Sequence, residues 1–327
     1  MKRLILLLIL AILLLLTACE TTSGPRFRGE VYSVSALLLA GSPIDTAHPV
    51  YLTRSSDIDS FDYMELFVPD ATITIFELSE SDTTAILNLT PVLDLGMEDP
   101  TPMPKIKYID PSAYLIQPGK TYAIQINVPG YAKTITAQTT VPATVTPDED
   151  LYNYNIPGEG YSTDPAVPDS TVFDTLDDRY PLALNTGNYT GKLKMFAEIY
   201  CLEPFSTDLE WTIPLFGITH ADSSLAWIYN SSGNSMRRIS FFSEYLSRYV
   251  PEADGNYAVL SDFGQSIAFF GRYRFTIYSI DDNYYNYSYQ TDGYLHGGIH
   301  NALGYFGSAS GGVLFTKVIK APPGSSR

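Results

Sequence analysis

The first stretch with a chemical signature is a cysteine that follows an apolar N-terminal run. Lys2 and Arg3 precede an apolar segment at residues 4–16, and Leu16-Thr17-Ala18-Cys19 follows it. The segment is shorter than the ~20 residues that span a bilayer, and a small residue stands before the cysteine, as in a lipoprotein signal peptide. We predict that residues 1–18 are a cleaved signal peptide and that Cys19 receives a diacylglycerol, its new amine being acylated. The alternative is an ordinary secretory signal with a chance cysteine.

A second candidate for function is a tyrosine-rich stretch at residues 281–290, with one further tyrosine beyond it. Closely spaced Tyr with Asn and Asp side chains can form a polar aromatic surface for a glycan or a protein, because Tyr is favoured at interfaces. The residues of this candidate binding surface are Tyr284, Tyr285, Tyr287, Tyr289 and Tyr294. The alternative is a strand whose alternate tyrosines pack inside the domain.

Metal sites have weaker signals. His296 and His300 would share a face of a strand and could take a metal with nearby aspartates, but Gly297-Gly298 between them favours exposed loop histidines. Two acidic clusters lack the spacing of an EF-hand loop, and solvated loops are the favoured interpretation. These clusters are Asp57, Asp59 and Asp62, and Asp148, Glu149 and Asp150. We predict neither a metal nor a cofactor.

Catalytic groups do not stand out either. The chain has no Gly-x-Ser-x-Gly elbow, and no pair of carboxylates is favoured for glycoside hydrolysis. Once Cys19 carries lipid, Cys201 is alone and no intrachain disulfide is possible. Glu198 and Glu203 near Cys201 oppose a thiolate, so we interpret it as a buried structural thiol. We therefore predict that the protein is not an enzyme.

Composition limits the partners. The formal charge is −16, and about −18 once Lys2 and Arg3 leave with the signal peptide. Such an acidic chain repels nucleic acid and anionic headgroups, so membrane attachment depends on the lipid at Cys19. The apolar fraction of 45%, with 25 Tyr and 16 Phe, indicates a folded chain rich in strands.

The order of elements predicts an all-β architecture. After a lipidated tether at residues 19–28, short alternating segments separated by Gly and Pro turns predict an immunoglobulin-like β-sandwich over residues 29–145. Residues 146–179, acidic and containing Pro, are predicted to connect this domain to a second β-rich domain over residues 180–320, followed by a tail at 321–327.

Within the second domain, most segments are predicted to be strands, including residues 191–202, 210–215, 225–229, 267–278 and 313–319. One short helix is expected at residues 235–249, because Ile239, Phe242, Tyr245, Leu246 and Tyr249 recur at helical spacing behind a capping Ser235. Gly304 and Gly307 are expected to form a tight turn that drives Tyr305 and Phe306 into the core.

Three motifs carry a family resemblance. The first runs from Tyr114-Leu115-Ile116-Gln117-Pro118-Gly119-Lys120-Thr121-Tyr122 through Val128-Pro129-Gly130-Tyr131 to Thr139-Thr140-Val141-Pro142. The second joins Tyr278-Ser279-Ile280 to Tyr284-Tyr285-Asn286-Tyr287, and the third is residues 301–310. With the lipobox, the cleavage motif formed by residues 16–19, they make the chain resemble the outer-membrane lipoproteins catalogued as domain of unknown function 4249. The resemblance implies two β domains, an association with TonB-dependent transporters and no established enzyme activity.

Together these observations predict a non-enzymatic protein, anchored through Cys19 in the bacterial cell envelope, at the outer membrane. We expect it to be an accessory or binding partner of a TonB-dependent-type transporter. The alternative is a surface module that binds carbohydrate or acts in adhesion through the tyrosine-rich stretch.

Overall fold

The computed structural model describes residues 30–56, 61–79, 82–96, 103–147, 160–166, 169–173, 182–226, 229, 238–250, 255–260 and 267–320. The signal peptide, Cys19 and the C-terminal tail lie outside them. Among the described residues, no helix is long and apolar enough to cross a bilayer.

The structure is mostly β, as predicted, and the immunoglobulin-like character of its first region stays a prediction. The strands are β1 (Tyr32–Leu39), β2 (Tyr51–Arg54), β3 (Thr72–Leu78), β4 (Thr83–Asp94), β5 (Lys105–Ile109), β6 (Thr121–Asn127), β7 (Ile135–Thr140), β8 (Thr146–Pro147), β9 (Asp169–Val172), β10 (Leu182–Asn185), β11 (Lys192–Cys201), β12 (Glu210–Leu215), β13 (Ile218–His220), β14 (Arg238–Leu246), β15 (Arg248–Val250), β16 (Gly255–Leu260), β17 (Gly271–Ile280), β18 (Ile299–His300) and β19 (Leu303–Ile319). The α-helix α1 spans Asp282–Tyr289, and 3₁₀ turns span Met64–Leu66, Ser223–Leu225 and Gly293–Leu295.

A seven-stranded sheet contains both ends of the described chain. Its order is β14-β11-β17-β19-β1-β2, and β9 also pairs with β19. The first strand runs parallel to the last, from Ser33 opposite Leu303 to Leu39 opposite Ala309. Strand β9, which falls within the predicted connection, is thus part of this sheet. The domain boundaries near residues 145 and 180 stay predictions.

A six-stranded antiparallel sheet, β18-β7-β6-β3-β4-β5, packs on one end of this seven-stranded sheet. Alternation places Ile73 and Ile75 of β3 in the core between them, together with Val34 of β1 and Phe306 of β19. A second core lies on the same side of the seven-stranded sheet farther along β11 and β17, where it includes Trp211. The opposite face of that sheet, called the outer face below, carries α1.

Several local predictions were wrong. The helix expected at residues 235–249 is wrong from residue 238 onwards, where the chain forms the strands β14 and β15 and β14 pairs with β11 along its length. Residues 235–237 lie outside the described residues. The strand expected at 225–229 overlaps a 3₁₀ turn capped by Asp222, whose carboxylate accepts a hydrogen bond from Ser224 N at 2.8 Å. Residue 229 is also helical, while 227 and 228 lie outside the described residues.

The turn expected around Gly304 and Gly307 is also wrong, since β19 runs through both residues. Phe306 is fully buried, as expected, whereas Tyr305 points to the other face of the strand and is only half-buried. Gly304 has φ +97°, and a Cβ there would lie 1.9 Å from Val34 O. This glycine therefore permits the close pairing of β19 with β1.

Glu77 is a buried carboxylate of β3 that connects this strand to β4, to β6 and to the loop before β6 through hydrogen bonds. Its oxygens accept hydrogen bonds from Tyr122 Oη and Tyr114 Oη, both at 2.7 Å, and from Thr84 Oγ1 at 2.8 Å. Tyr122 Oη in turn accepts from Gln117 N at 2.8 Å. Burial by itself raises the pKa of Glu77, but these hydrogen bonds outweigh it and hold the pKa below its ordinary value.

We expect Glu77→Gln to lower the free energy of unfolding by about 2 kcal/mol at pH 7, because the hydroxyls of Tyr114 and Tyr122 then donate to a neutral amide oxygen in place of a carboxylate whose charged form the fold favours. A carboxyl whose folded-state pKa is depressed stabilises the fold above its unfolded pKa and loses that contribution as pH falls through the folded pKa. The difference in the free energy of unfolding between the wild type and Glu77→Gln should therefore decrease from pH 7 towards pH 3, as measured by chemical denaturation. Glu65→Gln is the matched control, because Glu65 is exposed. An equal loss of stability in this variant would contradict the stabilising role of the hydrogen bonds to Glu77.

Candidate functional site

The tyrosine-rich stretch forms α1, and Asp281 fixes where this helix begins. Asp281 Oδ1 accepts hydrogen bonds from Tyr284 N and from Ser308 N, both at 3.0 Å. Its other oxygen accepts from Thr139 Oγ1 at 2.6 Å. Burial raises the pKa of Asp281 despite these hydrogen bonds. One carboxylate thus caps the helix and joins it to β19 and β7.

Asn283 makes a second attachment at the start of α1. Its Nδ2 donates to Gln138 O at 2.7 Å and to Phe306 O at 2.9 Å. The helix also lies very close to β19, because a Cβ on Gly307 would be 2.6 Å from Tyr284 Cβ. The helix is therefore held in one position on the sheet.

The five candidate tyrosines divide into two groups: three pack against neighbouring side chains, and two face solvent. Tyr284 and Tyr287 pack their rings against Tyr305, at centroid distances of 5.1 and 4.5 Å, and burial raises the pKa of Tyr284 to about 12. Tyr285 is buried, with Lys194 Nζ 4.7 Å from its ring centroid.

The other two tyrosines, Tyr289 and Tyr294, face solvent. The ring of Tyr289 stacks on Tyr285 at 5.1 Å and is 64% exposed. Tyr294 and the adjacent Leu295, in the turn after the helix, are 48% and 57% exposed. Tyr289, Tyr294 and Leu295 are called the tyrosine surface below.

A groove of about 300 Å³ lies beside α1 on the outer face. Its apolar lining includes Leu37 of β1, Phe196 of β11 and Val313 of β19, and Tyr284 forms part of the wall next to the helix. Arg274 and Tyr278 of β17 supply polar groups. The groove is therefore an apolar trough with a cationic group at one side.

A buried carboxylate holds that cation in place. Glu198 accepts a hydrogen bond from Arg274 Nη2 at 2.9 Å and a second one from Arg238 Nε. The guanidinium of Arg274 also lies 5.0 Å from the ring centroid of Tyr200. Two guanidinium groups share one carboxylate, so this cluster carries a net positive charge in a strongly acidic protein.

A larger cavity of about 420 Å³ lies near the N-terminal end, lined by Glu30, Tyr32 and Arg54 among others. Its polar groups bind one another: Arg54 Nη1 is 3.1 Å from Glu30 Oε1, and Tyr32 Oη donates to Glu30 Oε2 at 2.9 Å. We therefore favour the groove and the tyrosine surface as the candidate site.

The remaining sequence candidates lie elsewhere. His296 and His300 are exposed, in a turn and in β18, and no group of three metal-ligating side chains occurs among the described residues. Asp62 Oδ1 accepts from Met64 N at 2.9 Å, whereas Asp57, Asp59 and residues 148–150 lie outside those residues.

Cys201 is fully buried, as predicted. Its sulfur accepts a hydrogen bond from Tyr229 Oη at 3.3 Å, and burial raises the pKa of the thiol. A thiol in this environment is a structural group rather than a reactive one.

Sequence analysis missed the groove and the Glu198 cluster because their parts come from strands that are distant in the chain. One signal was available. Arg272 and Arg274 alternate with apolar residues in β17, which indicates that one face of a central strand carries charge. The partner of Arg274 on β11, Glu198, was not deducible without knowing which strands pair.

Two comparisons bear on identity. No curated protein matches the sequence. The family model described as domain of unknown function (DUF4249) matches residues 29–312, which is most of the chain. The protein therefore belongs to the DUF4249 family.

Proposed function

We propose that this protein is a non-enzymatic, lipid-anchored component of the bacterial cell envelope, held at the outer membrane through Cys19. In this proposal it binds a transporter of the TonB-dependent type as an accessory subunit. The lipobox and the family resemblance support the location and the kind of partner. The observation that carries the binding role is the exposed tyrosine surface on a fixed helix beside the groove.

The tyrosine surface has the properties of a protein-binding site. Tyr and other large side chains supply much of the binding energy at interfaces, most of all where they are already ordered before binding. Asp281 and Asn283 hold α1 against two strands, and the stacking of Tyr289 on Tyr285 restricts the exposed ring. Little conformational entropy is then lost when a partner covers these side chains.

The buried carboxylates support binding rather than catalysis. Glu77 and Glu198 accept hydrogen bonds or ion pairs from groups within the fold. Asp110 likewise accepts from Tyr114 N at 2.9 Å and from Ser112 N at 3.0 Å. A general acid or base must reach a bound substrate, and these carboxylates are engaged in holding loops and strands together.

The test is recovery of the native lipoprotein in mild detergent, with mass spectrometry of the proteins that accompany it. We expect a transporter in stoichiometric amount. Tyr289→Ala and Tyr294→Ala should each weaken the complex roughly tenfold, since truncating an interface tyrosine costs about 1–2 kcal/mol. Both variants should keep the unfolding temperature, because the two side chains are exposed.

Ile86→Ala is the matched control for this experiment. Ile86 is an exposed apolar residue of β4, in the six-stranded sheet, and its truncation should leave the affinity of the complex unchanged. Recovery of the folded wild-type lipoprotein alone would contradict the transporter proposal. An equal effect of all three substitutions would contradict the assignment of the tyrosine surface.

The second candidate function is carbohydrate binding, and the orientation of Tyr289 favours it. Sugars stack on exposed aromatic faces, and the ring of Tyr289 is exposed above that of Tyr285. A glycan array with the folded protein should then show binding that Tyr289→Ala removes. A blank array with a folded sample would rule this candidate out.

A further inference from the structure

The hairpin of β12 and β13 ends in an unusual turn. Its two central residues, Phe216 and Gly217, have φ of +51° and +82°. Positive φ at both positions matches a type I′ turn, in which Asn, Asp or Gly is preferred at the first position. A bulky phenylalanine there is held in a strained backbone conformation.

The side chain at this strained position makes no compensating contact in the fold. Phe216 is 103% exposed, and its neighbours Ile213 and Ile218 are 46% and 57% exposed. Residues 212–219 contain no charged side chain. We call Ile213, Phe216 and Ile218 the hairpin tip.

The base of the hairpin is firmly attached to the fold, so the tip is a fixed projection. Trp211 is buried and packs on Phe269 at a centroid distance of 4.2 Å. The nearest acidic residue of the strand, Glu210, is neutralised by Lys320 Nζ at 2.6 Å. An uncharged apolar tip suits an environment that dehydrates it.

The hairpin lies at the opposite end of the seven-stranded sheet from Tyr32, where β1 begins. Lys320 follows the end of β19, whereas β1 begins beside Leu303 at its other end. The 17 residues of β19 span about 55 Å at ~3.3 Å per residue. The segment from Cys19 to residue 29 reaches about 35 Å when fully extended.

We propose that the hairpin tip inserts into the headgroup region of a bilayer and is a second membrane contact. The tip is a projection whose exposed side chains are all hydrocarbon, without the directed polar groups that a protein pocket would recognise. Its orientation rests on the proposed lipid at Cys19. With that lipid in the same bilayer, the seven-stranded sheet lies along the membrane, attached at both ends.

The insertion is tested without the lipid. The mature chain carrying Cys19→Ser is mixed with phosphatidylcholine vesicles, and the bound fraction is measured by co-sedimentation. We expect measurable partitioning, which Phe216→Asn lowers roughly tenfold or more because a large apolar side chain no longer leaves water. Asn tolerates positive φ, so this variant should unfold at the same or a higher temperature.

Leu246→Asn is the control, since Leu246 is 70% exposed on β14, outside the hairpin. A Phe216→Trp variant should also show fluorescence that brominated lipids quench. No vesicle binding by the unlipidated chain, or equal binding by Phe216→Asn, would overturn the insertion. Loss of transporter recovery without loss of vesicle binding in Phe216→Asn would assign the tip to a protein contact instead.

The lipid at Cys19 is checked separately, by the mass of the N-terminal peptide. An unmodified Cys19 would refute the anchor and the two-point orientation while leaving the vesicle result of the hairpin intact. The two proposals therefore fail by different measurements.

Discussion

Replacing Gly304 with alanine is expected to lower the free energy of unfolding by about 4 kcal/mol, the largest effect that we predict. Two costs combine at this position. The backbone has φ +97°, which L-residues rarely adopt, and the new Cβ would lie 1.9 Å from Val34 O. That oxygen belongs to the backbone of β1, so relief requires the two strands to separate.

Gly41→Ala separates the two costs. Gly41 has φ +76°, but no atom lies within 4 Å of the position of its Cβ. The free energy of unfolding of Gly41→Ala should therefore fall by only about 1 kcal/mol, from the backbone strain alone. Urea unfolding of both variants measures the difference. Similar losses would show that the contact between β19 and β1 tolerates a side chain, contrary to the geometry.

This contact also shows what sequence reasoning reaches and where it stops. Alternation correctly predicted short strands within residues 29–145, of which β3 and β6 are examples, because each has one face in a core and period-2 patterning is a local property. The pairing of β1 with β19 depends on residues about 270 positions apart and leaves no local trace. Gly304 is needed because of that pairing. Since the pairing is not visible in the sequence, sequence analysis assigned Gly304 to a turn.

Two other segments differ in secondary structure from what their residue patterns favour. Residues 238–246 place apolar side chains at helical spacing, yet β11 provides a strand edge that satisfies their backbone hydrogen bonds. The tyrosines of α1 have high strand propensity, yet Asp281 caps them as a helix. Two acidic residues before an aromatic run are a helix-start signal that was available in the sequence.

The candidate site repeats this pattern. Sequence analysis identified the tyrosine-rich stretch, because clustered Tyr, Asn and Asp are visible in one segment. It did not separate Tyr289 and Tyr294 from the packed tyrosines, since that division depends on where Tyr305 and Lys194 lie in space. Exposure, and with it the proposed partner contact, is a property of the assembled sheet.

Replacing Asp281 with alanine is expected to be the second most damaging change, at about 3 kcal/mol. It removes the cap of α1 and leaves Ser308 N, Tyr284 N and Thr139 Oγ1 without their acceptor. Because the helix carries Tyr289 and leads into the turn that holds Tyr294 and Leu295, the proposed transporter binding should fall along with stability.

Asp281→Asn is the informative companion. Both backbone N–H groups donate to the same oxygen, Oδ1, which an amide keeps. The amide nitrogen then replaces the oxygen that faces Thr139, and the hydroxyl of Thr139 can accept instead, since it already shares a hydrogen bond with Ser308 Oγ at 2.7 Å. The loss should be about 1 kcal/mol or less at pH 7. An asparagine variant as unstable as the alanine variant would contradict this hydrogen-bond arrangement.

The pH dependence of the stability of the wild type and of Asp281→Asn provides a further check on this partly buried carboxylate. Burial raises the pKa of Asp281 in the fold, so its contribution to stability is greatest below the unfolded pKa and decreases as pH rises through the folded value. The amide that replaces the carboxyl group in the asparagine variant does not titrate. The stability of Asp281→Asn relative to the wild type should therefore improve between pH 4 and pH 7, as measured by urea unfolding at each pH. The opposite trend would mean that the hydrogen bonds outweigh burial at this site, as they do at Glu77.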